Sequence, residues 1–236
     1  MNILGLIAGT SFQEEKSFDD MVEKRIENEF GTAQVLCQEG FVYISRHGKG
    51  YPGQIPPHMI NHKANLKAMK DLGVHDIIGV NSTGSLKKEF EPGTLIVPDD
   101  YISLSETPTI FNSEQRHIIP VLSEKIRQRL IAASEKLGIS LITKGTYLQT
   151  RGPRLETKAE IRMMSHYADI VGMTMASEAV IACEMDLEYA SICSVDNFGH
   201  GLTENPLTTQ EIKNNARKNA DIILMIIDYC LKNDPT

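Results

Sequence analysis

No Cys-x-x-Cys pair occurs in this chain, and none of its four cysteines, Cys37, Cys183, Cys193 and Cys230, has a histidine at metal-ligand spacing. A zinc site or a disulfide framework is therefore not expected to organise the fold, and reduced thiols in a cytosolic protein are the simplest reading. No run is both long enough and free enough of charge to span a bilayer. The apolar stretch Met1–Ala8 lacks a basic flank and runs into Gly9-Thr10-Ser11, so it reads as a first buried strand rather than a secretory signal. There is no stripe of Lys and Arg to track a phosphate backbone; Lys213–Lys218 with Arg217 reads as the solvated face of a terminal helix, and nucleic acid is not expected as a partner. A G-x-G-x-x-G fingerprint and the lysine of a P-loop are both missing after the first strand. Internal repeats and low-complexity linkers are absent as well.

What is present is the balance of an ordinary globular protein: 236 residues, 41% hydrophobic and 23% charged, with a formal charge of −7 spread along the chain. One domain is the economical count. Short β-branched runs at Ile3–Ile7, Phe41–Ser45, Asp76–Val80, Thr94–Val97, Leu141–Leu148, Asp169–Gly172 and Ala190–Val195 predict strands. Helical periodicity covers Met59–Leu72, Leu122–Leu137, Glu156–Met164, Ser177–Met185 and Thr208–Leu231, with Gly73 and Gly138 closing the first two. This alternation predicts an α/β fold, a single-domain three-layer sandwich around a central mixed sheet.

Polar and glycine-rich residues collect where the predicted strands end, which is where ligands bind in open α/β sheets. Gly9-Thr10-Ser11 suits an oxyanion, or is a plain turn. Arg46-His47-Gly48 offers a guanidinium fork suited to phosphate, or a surface loop tied down by an ion pair. Asn81-Ser82-Thr83-Gly84 presents hydroxyls and N–H groups for an anion or a sugar, or simply makes the next turn. In Gly172-Met173-Thr174 the polarisable Met173 suits a flat ligand face or a ribose, and equally a core. His58 and His62 read as helix-face histidines. Glu156, in the turn Gly152–Thr157, accepts hydrogen bonds when ionised, while the amide of Asn197 both donates and accepts. A partner carrying an N–H beside a ring nitrogen and a carbonyl oxygen, a 6-oxopurine, satisfies both.

Taken in order, Thr10, Arg46-His47-Gly48, Asn61 to Asn65, Gly84-Ser85-Leu86 with Pro92-Gly93, Gly152–Thr157, Gly172-Met173-Thr174 with Glu178, and Asp196-Asn197 resemble the trimeric purine nucleoside phosphorylases, and more closely their methylthioadenosine phosphorylase subgroup. The resemblance implies phosphorolysis of a purine nucleoside, with inorganic phosphate as co-substrate and neither metal nor organic cofactor. It implies that Thr10, Arg46, His47, Ser82 and Thr174 hold phosphate, that Met173 lies under the ribose, and that Glu156, Asp196 and Asn197 face the base. His117, followed by Ile118-Ile119-Pro120, is similar to the residue that such trimers lend to a neighbour's sugar pocket, so a homotrimer or a dimer of trimers is implied.

Two departures from the subgroup matter. Where methylthioadenosine phosphorylases usually carry Ser and Asp, this chain has Glu156 and Asn197, the pairing of 6-oxopurine enzymes. Inosine, guanosine or methylthioinosine is therefore the expected substrate, ahead of methylthioadenosine. The loop Lys49–Gln54 is longer than usual and places Tyr51 near the expected ribose-facing position, while Leu207, Thr208 and Thr209 leave the 5′ preference undecided. The rivals are a nucleosidase that uses water, a nucleotide-binding regulatory module, and an inactive interaction protein.

Overall fold

A computed structural model describes residues 3–9, 12, 18, 20–48, 54–104, 106–204 and 208–233. Within them the strands are β1 (Ile3–Ala8), β2 (Val22–Asn28), β3 (Gly31–Gln38), β4 (Phe41–Ser45), β5 (Val74–Ser85), β6 (Leu95–Ile96), β7 (Asp100–Ser103), β8 (Thr146–Gln149), β9 (Ile170–Gly172) and β10 (Glu188–Phe198). The helices are α1 (His62–Asp71), α2 (Glu124–Leu137), α3 (Lys158–Met164), α4 (Met175–Glu184) and α5 (Thr209–Lys232).

All strands join one mixed sheet in the order β2-β3-β4-β1-β5-β9-β8-β7, with β10 on β5 and β6 on β10. The long β5 is the branch point. It runs parallel to β1 and β10, and its last two residues, Gly84 and Ser85, pair antiparallel with β9. A sheet that splits there opens a gap beyond the carboxyl ends of β1, β4 and β10.

Side-chain alternation distributes the core to both faces of the sheet. From β1, Ile7 joins a cluster with Leu66 and Met69 of α1 and Met175 and Ala179 of α4. Leu4, Leu6 and Ala8 join the opposite cluster with Ile126 and Leu130 of α2 and Ile223, Ile226 and Ile227 of α5. The result is helix, sheet, helix, the expected three-layer sandwich in a single unit. Helix ends follow local chemistry: Asn61 caps α1 by accepting from Ala64 N–H at 3.0 Å, and Thr157 with Glu160 forms a capping box on α3. Gly138 ends α2 in the left-handed region at φ 68°.

The observed elements differ from the expected ones in four places. The hairpin β2–β3 was not expected, because its sequence, Val22-Glu23-Lys24-Arg25-Ile26-Glu27-Asn28 on the outer strand, is mostly charged and solvent-facing. The short β7 was not expected either, and β8 covers only the end of the predicted Leu141–Leu148 run. The polar segments expected to follow β5 and β10 lie inside those strands, so Ser82 and Asn197 are held by ladder hydrogen bonds rather than by loops. That rigidity favours a precise site.

Candidate active site

A cleft of about 430 Å³ opens at the carboxyl ends of the central strands, a size that suits a nucleoside-sized ligand. Its walls come from Gly9 after β1, Arg46 and His47 after β4, Gln54 to Pro57, Ser82 to Gly84 of β5, Pro153 to Glu156, Val171 to Thr174, Asn197 and His200 with the turn beyond β10, and Ile212 and Lys213 of α5. Lys213, read from sequence as part of a solvated face, stands at the rim of the cleft. Thr10, Tyr51 and Leu207 lie outside the described residues.

At the floor, Arg46 is only 2% exposed and is bound from three sides. Its Nε and Nη2 donate to the Glu178 carboxylate at 2.6 and 3.0 Å, Nη2 also to Ile7 O at 2.9 Å, and Nη1 to Val80 O at 2.7 Å. Of the five guanidinium N–H groups this leaves one, on Nη1. That nitrogen lies close to Gly9, where a Cβ would sit 2.7 Å from it. The expected phosphate fork is thus largely committed to Glu178, and Arg46 offers the cleft its charge and a single donor. Burial opposes that charge, and Glu178 more than restores it, so the Arg46 pKa lies above its ordinary value. Tyr189 donates to Glu178 at 2.8 Å, while His62 Nδ1 lies 3.8 Å from it without a hydrogen-bond partner. Burial, then Arg46, push His62 down to about 3, so it is neutral.

His47 is also neutral, its pKa lowered to about 4 chiefly by burial. Its Nδ1 faces the Ile55 carbonyl at 2.8 Å. A carbonyl only accepts, so Nδ1 carries the proton and Nε2 is left as an acceptor. Nε2 lies on the Gly9 side, 3.3 Å from where a Cβ of that glycine would be. His47 therefore gives the cleft a lone pair rather than a positive charge.

Thr174 is the N-cap of α4, yet its hydroxyl makes no cap hydrogen bond. Tyr147 Oη lies 3.2 Å from Thr174 N and 3.4 Å from Met175 N, so the phenol receives the first amides of the helix instead. Asn81 Nδ2 donates to Thr174 Oγ1 at 2.9 Å, and Ser191 Oγ anchors the other end of that amide at 2.7 Å. With a lone pair of Thr174 occupied, its O–H is free to donate into the cleft. Ser82 lines the same wall, and Met173 stands beside them.

At the other end, Glu156 is 8% exposed and accepts from Thr150 Oγ1 at 2.6 Å. Asn197 donates one Nδ2 hydrogen to Phe198 O at 2.8 Å, leaving the second and its Oδ1. Both residues face the cleft, as expected. Asp196 does not. Its side chain is 0% exposed, turned beneath the strand, bonded by the Ser194 hydroxyl, and its Oδ2 has no partner. Burial pushes its carboxyl up to about 7 against the pull of the Ser194 and Ser82 hydroxyls. Asp196 sits where the β10–β5 register shifts, between Val195 opposite Thr83 and Asn197 opposite Gly84, so it is the unpaired residue of a bulge and is buried while Asn197 lines the cleft. His117 is exposed and absent from the cleft of its own chain.

Sequence reasoning missed the roles of Tyr147, Tyr189 and Asn81, and saw Glu178 only through the family pattern. One local signal existed: Glu178 and Ser177 interrupt the apolar run Met175–Ile181, and a charge amid buried residues needs a partner. Among the described residues no group of His, Cys, Asp or Glu is arranged to hold a metal ion, and no helix is long and apolar enough to cross a membrane.

The sequence profile of the phosphorylase superfamily matches residues 4–232. A probable 6-oxopurine nucleoside phosphorylase of Archaeoglobus fulgidus is 42% identical over 98% of this chain and 96% of its own length. A probable S-methyl-5′-thioinosine phosphorylase of Methanocaldococcus jannaschii is 33% identical over 96% of this chain and 90% of its own. Among solved structures, methylthioadenosine phosphorylase from Schistosoma mansoni in complex with adenine superposes with a TM-score of 0.88 at 25% identity, covering 98% of this chain and 91% of that one. Matched along nearly its whole length in profile, sequence and fold, the chain belongs to the phosphorylase superfamily.

Proposed function

We propose that this protein is a pentosyltransferase that cleaves 6-oxopurine nucleosides, inosine, guanosine or 5′-methylthioinosine, with inorganic phosphate, releasing the free purine and ribose 1-phosphate or its 5-methylthio form. The observation that carries this reading is the pair at the purine end of the cleft: Glu156 with Thr150 already on one oxygen, and Asn197 with one amide hydrogen unassigned. Glu156 accepts from N1–H of a 6-oxopurine, and Asn197 donates towards N7. Facing the bare N1 of adenine, the carboxylate loses its partner, at a cost of about 1–3 kcal/mol. The names of the two relatives above agree with this preference.

The chemistry follows from where charge develops. As the C1′–N9 bond stretches, the ribose gains oxocarbenium character and the purine becomes electron-rich, so a donor at N7 is worth more in the transition state than in the ground state. Phosphate sits beneath the sugar, held by Thr10, Ser82, the Thr174 hydroxyl and the remaining Nη1–H of Arg46, with the Nε2 lone pair of His47 accepting from a protonated phosphate oxygen or a ribose hydroxyl. Met173 packs under the ribose. No metal or organic cofactor takes part. The enzyme works in the cytoplasm, in purine salvage, as a homotrimer or a dimer of trimers in which His117 completes a neighbour's sugar pocket. In support of that assembly, Ile119 and Val121 beside His117 are 83% and 62% exposed.

Initial rates with inosine, guanosine, adenosine, methylthioinosine and methylthioadenosine, each with and without phosphate, test the proposal. Phosphate-dependent turnover fastest on the 6-oxo compounds is expected; phosphate-independent base release points to a nucleosidase, and equal or faster cleavage of methylthioadenosine defeats the substrate assignment. Asn197→Asp should shift the preference towards 6-aminopurines by roughly tenfold or more, since Asp presents an acceptor where Asn presented a donor. An unchanged preference would mean that Asn197 does not set it.

A further inference from the structure

Glu156 is nearly enclosed, yet among the described residues no cation forms an ion pair with it. Arg154, two residues before it, commits its fork to Glu160 at 2.7 and 2.8 Å. Among the described residues, the hydrogen bond that its carboxylate accepts is the one from Thr150 Oγ1 to Oε1, at 2.6 Å. Thr150 is itself fixed: it follows β8 directly, and its N–H donates to Gly172 O at 2.9 Å, tying it to the strand that carries Met173 and Thr174 into the cleft. A carboxyl group attached by one oxygen to a rigid donor has one orientation, and its other oxygen is directed where that orientation sends it.

We infer that Thr150 is a positioning residue for purine recognition, which holds Glu156 so that only Oε2 meets the base and meets it as an acceptor. The hydroxyl does two things at once. It removes the rotation that would let Glu156 turn towards solvent, and, by occupying Oε1, it leaves Oε2 as the acceptor directed at the base. Discrimination between an N1–H and a bare N1 then depends on Thr150 as much as on Glu156, although Thr150 touches no substrate.

This inference rests on the 6-oxopurine reading, and one set of variants separates the two. Thr150→Val keeps the shape and removes the donor; Thr150→Ser restores a hydroxyl; Glu156→Ala removes the acceptor. The readout is kcat/KM for inosine and for adenosine, with thermal melting to establish that each variant is folded. Thr150→Val is expected to lower kcat/KM for inosine by roughly tenfold, the usual effect of losing a hydrogen bond to a charged acceptor, and to leave adenosine within about threefold. Thr150→Ser is expected to keep the wild-type ratio. A loss shared equally by both substrates assigns Thr150 a merely structural role and overturns the inference. So does a preserved inosine-to-adenosine ratio in Thr150→Val when Glu156→Ala has abolished it. Wild-type enzyme that prefers adenosine overturns the 6-oxopurine reading and this inference with it.

Discussion

Arg46 and Glu178 are 132 positions apart in sequence and bonded by two hydrogen bonds in the fold, and the pair shows how charge is managed beneath the cleft. A lone guanidinium buried at this depth would be severely destabilising, whereas paired with a carboxylate and two backbone carbonyls it is tolerated. Glu178→Gln keeps the shape but leaves an uncompensated cation, and is expected to lower stability by about 3–5 kcal/mol while raising KM for phosphate. Urea unfolding and phosphate titration read both effects; an unmoved unfolding midpoint would show that the pair is not what holds Arg46. Asp196 is the opposite case, a buried carboxyl without a cation. Its ordinary value is 3.8 and burial raises it to about 7. Well below pH 3.8 it is protonated in both states; as pH rises from there towards 7 the unfolded chain ionises first, so stability falls across that window. The fall approaches about 1.4 kcal/mol for each pH unit between the two values. Asp196→Asn removes the titration, so its advantage over the wild type should grow by about 2 kcal/mol or more between pH 4.5 and 8. A difference that stays flat with pH would refute this account. Neither arrangement was legible in the sequence, because partners as distant as Arg46 and Glu178 leave no spacing to read, and because the register shift that buries Asp196 appears only when β10 pairs with β5.

At the scale of elements, the segments of β1, β4, β5, β6, β9 and β10 and the five helices of the described residues were readable, since each has either a short β-branched run or helical periodicity, closed in two cases by Gly73 or Gly138. The β2–β3 hairpin escaped because only a few of its positions, Ala33, Val35 and Leu36, are buried, and its outer strand carries charges on both faces. What sequence periodicity also does not show is how tightly elements approach. Gly79 of β5 lies directly against Tyr189 of β10, and a Cβ there would overlap the phenol oxygen that holds Glu178. Gly79→Ala should therefore act at a distance: overpacking of about 1–3 kcal/mol, together with weaker phosphate binding as Tyr189, Glu178 and Arg46 shift in turn. Loss of stability with an unchanged KM for phosphate would mean that the three residues do not move together.

For the whole molecule, the alternation of strands and helices made the three-layer sandwich legible, and the branching of β5 explains why the polar segments of six distant regions converge. Assembly is another matter, because one chain shows only its own surface. His117 is exposed, absent from the cleft of its own chain, and borders the exposed apolar residues Ile119 and Val121. The proposed trimer turns this into a test by complementation. His117→Ala damages the site a subunit lends to its neighbour, and Asn197→Ala damages the site it keeps. Each variant alone should be nearly inactive. Co-expressed, random cyclic trimers place an intact Asn197 beside a neighbour's intact His117 at roughly one site in four, so about a quarter of wild-type activity should return. Activity no greater than that of the better single variant would show that the two residues do not meet across a subunit boundary, and His117 would lose its place in the reaction.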